Sequence, residues 1–164
     1  LLNDAHDVTQ LQRAWFALEA AERAMPELAI HAARRLLALQ GEEQMAREWL
    51  LPVWEQYEHL ADPVKVRLAE VLESGLASVD ATWLARFEAA QRANPRDAIL
   101  QYLAGMACLK RQLWGKAQQL LTQAALGLQD PELHRQAWRA LAGLAEERGD
   151  AMTAAQAWKR AASE

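Results

Sequence analysis

Cysteine is almost absent from this chain of 164 residues, with Cys108 standing alone. A single thiol excludes an internal disulfide and gives no sign of an oxidising compartment. β-Branched residues are scarce too: valine, isoleucine and threonine together number 12, against 35 alanines and 26 leucines. Such a chain has little material for sheets, because branched side chains favour strands whereas Ala and Leu lose little freedom in a helix. The 7 glycines are scattered singly, so no Gly-rich loop cradles a phosphate. Long apolar runs are missing as well. The longest stretch without a formal charge, 117–129, has 13 residues and is interrupted by Gln and Thr, short of the roughly 20 apolar residues that span a bilayer. No signal peptide is visible. A basic excess is also lacking, and the net charge of −4 argues against a nucleic-acid binder that relies on a cationic face. Composition further excludes a collagen, a disordered tail and a disulfide-rich secreted module.

What is present is helical periodicity that repeats. With Gly149-Asp150 as an inter-helix turn, Trp138, Leu141, Ala142 and Ala145 precede it, and Ala154, Trp158 and Ala161 follow it. Bulky residues beside small ones on both sides of a turn resemble the tetratricopeptide repeat, in which paired helices approach closely only where small residues meet. The same frame fits around Gln112, with Gly105 and Cys108 before the turn and Ala117, Leu121 and Ala124 after it. It fits again around Gly41, with Ile30, Ala33 and Leu37, then Ala46, Leu50 and Val53. The stretch from Val64 to Asn94 is degenerate: Trp83, Phe87 and Ala90 suit a second helix, but no proper first helix precedes them.

Punctuation agrees. Asp62-Pro63 and Asp130-Pro131 place an N-cap before a proline, and Asp80, Asp97 and Asp150 can cap in the same manner. The pattern predicts nine helices, near 8–24, 27–40, 42–59, 63–74, 80–93, 97–111, 113–127, 131–147 and 150–162. Pro52 should kink or break the third near Leu51. The fold expected is all-α, a right-handed α-solenoid of tetratricopeptide-like helix pairs forming a single domain over 1–164. Charge divides unevenly along it. Residues 1–82 carry 7 Lys/Arg against 14 Asp/Glu, and residues 83–164 carry 11 against 8, an asymmetry able to orient a partner or a neighbouring copy.

The run Cys108-Leu109-Lys110-Arg111-Gln112-Leu113-Trp114-Gly115-Lys116-Ala117 resembles a segment typical of the HemY family of proteobacteria. Trp83-Leu84, Ala93-Asn94-Pro95 and Ala98-Ile99-Leu100 fit the same family pattern. The resemblance implies an inner-membrane protein with N-terminal membrane helices and a tetratricopeptide-like soluble region, associated with late protoheme synthesis and without established catalytic residues. On this reading the chain, which begins at Leu1 rather than methionine, is the C-terminal soluble region of a longer protein. The missing upstream segment would be the anchor, with the soluble domain on the cytoplasmic side.

The chemistry-bearing residues point the same way. His6, His31, His59 and His134 stand far apart, with no paired spacing that puts two metal ligands on one helical face. Cys108 has no basic neighbour spaced to activate it, and the pairs Glu42-Glu43 and Glu146-Glu147 read as solvated turn residues. Trp138 and Trp158 read as packing residues, and so does Trp114 beside its turn. No catalytic residues, metal or obligatory cofactor are expected. What remains is a concave groove lined by the first helix of each pair, where His31, Arg35, Tyr102, Met106, Lys110, Arg139 and Glu146 are expected to face outward. That mixture suits a partner peptide of acidic character. The expected function is a non-catalytic protein–protein interaction scaffold, with haem-synthesis enzymes among the partners. Alternatives are a haem or porphyrin carrier acting through the groove, with His31, Tyr102 or Met106 as contacts, and a repeat adaptor unrelated to haem.

Overall fold

The structure, a computed structural model, describes residues 2–163, and within them all regular structure is helical. The chain divides into two compact units, Leu1–Ser78 and Val79–Glu164. The division falls just after 64–76, where the repeat spacing is poorest.

Unit 1 holds α1 (Val8–Ala17), α2 (Ala20–Arg23), α3 (Pro26–Ala38), α4 (Glu43–Trp54) and α5 (Asp62–Ser74), with a 3₁₀ turn at Tyr57–His59. α3 lies at its centre, packing on α1, α2, α4 and α5, and buries Ala29, Ile30, Ala32, Ala33 and Leu36. Three features differ from the sequence reading. The first predicted helix is two: Leu18 and Glu19 are extended, at ψ 150° and 160°. No Gly or Pro marks this break, and a capping box formed by Glu19 and Glu22 starts the short α2. The third predicted helix runs through Pro52 and ends at Trp54, short of 59. Asp62, expected as an N-cap, is instead the first helical residue of α5, with Ala61 at the cap.

Unit 2 holds α6 (Ala81–Ala93), α7 (Ala98–Lys110), α8 (Trp114–Gly127), α9 (Pro131–Glu147) and α10 (Ala151–Ala162). Four of the five helices start on an aspartate whose carboxylate accepts an amide hydrogen three residues on: Asp80 from Trp83, Asp97 from Leu100, Asp130 from Leu133 and Asp150 from Thr153. These caps satisfy amides that a helix start otherwise leaves unbonded.

One turn recurs in both units. Gln40 and Gln112, each at φ 62°, and Gly149, at φ 76°, take the left-handed conformation that ends a helix. In each case the next amide returns to a carbonyl five residues back: Gly41 to Leu36 at 2.8 Å, Leu113 to Cys108 at 2.8 Å, and Asp150 to Ala145 at 2.9 Å. The left-handed residue at the first turn is therefore Gln40, one position before Gly41.

In the pair α7–α8 the small residues determine how close the helices come. A Cβ on Gly105 would lie 2.9 Å from Leu121 Cγ, and Cys108, Ala117, Leu121 and Ala124 are all fully buried around it. In α9–α10 alanines do this work, with Ala142, Ala145, Ala154, Ala157 and Ala161 buried.

Candidate functional site

The seven residues expected in the groove divide between the units. In unit 1, His31 and Arg35 sit one turn apart on α3, half-buried. Both hold the N-terminal segment: the His31 ring lies 2.5 Å from Asn3 Oδ1, and Arg35 Nη2 donates to the Ala5 carbonyl at 2.7 Å. In unit 2, Tyr102 and Met106 are not groove residues. Tyr102 is fully buried and Met106 is 7% exposed. The reason is that α7 packs against α6, α8 and α9, so every residue from Leu100 to Cys108 is buried. Lys110, at the end of α7, and Arg139 and Glu146 on α9 are exposed. Glu146 accepts a hydrogen bond from Trp158 Nε1.

Of these exposed residues, Lys110 alone lines a cleft of about 360 Å³ at the C-terminal ends of α7 and α9. Its walls include Leu109 and Lys110 from α7, Trp114 from the start of α8, and Ala140, Gly143, Leu144 and Glu147 from α9. Trp114, expected to pack against a neighbouring helix, is 45% exposed and stands at this edge.

Gly143 decides what the cleft means. It lies inside α9, where glycine costs roughly 1 kcal/mol relative to alanine. Gly105 bears a comparable cost inside α7 because Leu121 leaves no room for a Cβ. At Gly143 nothing lies within 4 Å of where a Cβ would sit, and the backbone is ordinary helix. The fold does not require glycine there. It lines the cleft without a side chain of its own.

The remaining candidates are structural. Cys108 is fully buried, and burial, reinforced by the Glu88 carboxylate, pushes its thiol pKa up, the opposite of an activated nucleophile. His134 accepts from Trp138 Nε1 at 3.1 Å, and Arg160 lies 5.1 Å over the Trp138 ring. Trp158 is 42% exposed rather than packed away. Among the described residues, no group of three or more His, Cys, Asp or Glu is placed to hold a metal ion. Likewise no helix among them is long and apolar enough to cross a membrane.

Sequence reasoning missed Gly143, Glu147 and the role of Trp114. A glycine breaking the Ala/Leu run of α9 was the available signal. It also missed Arg47, which is 2% exposed and donates to the Gly75 carbonyl at 2.6 Å and the Ser78 carbonyl at 3.1 Å. Glu43 completes that clamp, accepting from the Ser78 amide at 2.8 Å and its hydroxyl at 2.6 Å. No family model, curated protein or solved structure matches the chain.

Proposed function

We propose that the chain is a non-catalytic interaction scaffold whose unit 2 binds a short segment of a partner protein in the α7–α9 cleft. The observation that carries this reading is Gly143: a costly mid-helix glycine with no neighbour that a Cβ would meet, in the lining of an open cleft. An apolar side chain of the partner would enter over Ala140 and Gly143, against Trp114 and Leu144. Lys110 would attract an acidic flank, and Glu147 would reject segments of the wrong polarity.

The resemblance of 108–117 to the HemY family supports placing this scaffold among proteins of late protoheme synthesis, attached to the bacterial inner membrane by an upstream anchor. The right-handed solenoid belongs to the same proposal, supported by the left-handed turn recurring at Gln40, Gln112 and Gly149. Haem carriage has less support, since the burial of Tyr102 and Met106 removes two of its three expected contacts.

The test is selection of peptides from a random display library against the chain, followed by amide shift mapping of the best binder. Shifts centred on Lys110, Trp114, Gly143 and Glu147 are expected. Binders that map elsewhere, or none above background, would overturn the proposal.

A further inference from the structure

Two exposed faces outside the cleft are complementary. The first is on α10. Ala155, Trp158, Lys159 and Ala162 share one side of this helix, with Met152 at its border, and all are exposed, Met152 by 74%. The α10 face is thus exposed and largely apolar, with one cation, Lys159, whereas Arg160 lies over the Trp138 ring of α9.

The second face is in unit 1, where α1 ends and α2 begins. Phe16 is 61% and Met25 54% exposed, and the exposed Ala17, Ala20 and Ala21 lie between them with Glu19 and Glu22. The two carboxylates cap α2 yet remain at the surface. The wider charge follows the same division. Residues 1–78 carry 7 Lys/Arg against 13 Asp/Glu, and residues 79–164 carry 11 against 9.

We infer that the chain self-associates head to tail, the α1–α2 face of one copy seating on the α10 face of the next. Phe16 and Met25 meet the Ala155–Trp158 surface, and Glu19 and Glu22 meet Lys159. A contact between unlike faces builds a ring where the rotation between copies closes and an open chain where it does not. The charged part weakens with salt.

Sedimentation velocity of the 164-residue chain tests this. The average mass should rise with protein concentration at low salt, and the apparent association constant should fall several-fold at 0.5 M salt. Phe16→Lys and Ala155→Lys change exposed positions, and each variant alone should remain monomeric with unchanged helical circular dichroism. Mixed one to one, they should form a dimer and stop, because each retains one intact face. A single monomeric species at every concentration would overturn the inference. So would variants that self-associate like the parent, or a mixture that stays monomeric.

Discussion

Unit 1 and unit 2 use the same helix-ending turn, at Gln40 in one and at Gln112 and Gly149 in the other, but they hold their helices together by different means. Unit 2 relies on small residues, with Gly105 against Leu121 and five buried alanines in α9–α10. Unit 1 buries alanines too, among them Ala29, Ala32, Ala33 and Ala46, but adds large and polar groups. The Trp15 and Trp49 rings stack at 4.6 Å between α1 and α4, and Arg47 clamps the segment after α5. Gln56 ties the Ala24 and Pro52 carbonyls. Close approach through small residues leaves regular helices whose ends can form a cleft. Clamping through long side chains tolerates irregular connections such as the break at Leu18 and the 3₁₀ turn.

The comparison breaks first at the aromatics. Trp15→Ala and Tyr102→Ala should each cost about 3–5 kcal/mol. In hydrogen exchange the loss of protection should concentrate in 1–78 for the first and in 79–164 for the second. Equal loss everywhere would contradict the two-unit description.

Arg47→Met should cost about 2–3 kcal/mol by urea unfolding, since it removes charge-assisted bonds to two carbonyls. Gly105→Ala, which over-packs against Leu121, should cost about 1–3 kcal/mol. If Arg47→Met proves neutral, the clamp is not what orders 75–78.

Smaller still are the caps. Asp97→Ala should lower stability by about 1 kcal/mol. Asp150 gives a pH signature. Bonds from the Thr153 hydroxyl and amide hold its carboxyl below the usual carboxylate range. A lowered acid pKa stabilises above the unfolded value and loses that effect as pH falls through the folded one. Amide protection at the start of α10 should therefore hold at neutral pH and fray first in acid. Asp150→Asn should flatten that dependence.

Most helices were legible because the aspartate caps and Ala/Leu periodicity are local signals. The break at Leu18–Glu19 was not, since it rests on backbone conformation and a capping box rather than on Gly or Pro. The site was legible only in part. Of the seven expected groove residues only Lys110 lines the cleft; Arg139 and Glu146 are exposed outside its lining, and Tyr102 and Met106 are buried. α7 is apolar around its whole circumference, so periodicity could not say which side faces outward. Arg47 was invisible for a different reason, its burial depending on carbonyls 28 and 31 positions away.

The central claim is that Gly143 serves the cleft rather than the fold, and Gly143→Leu tests it most directly. The melting temperature should equal or exceed that of the parent, because a good helix former replaces glycine in open space, and binding of the selected peptides should be lost. A lowered melting temperature, or peptide binding that survives the filled cleft, would contradict it.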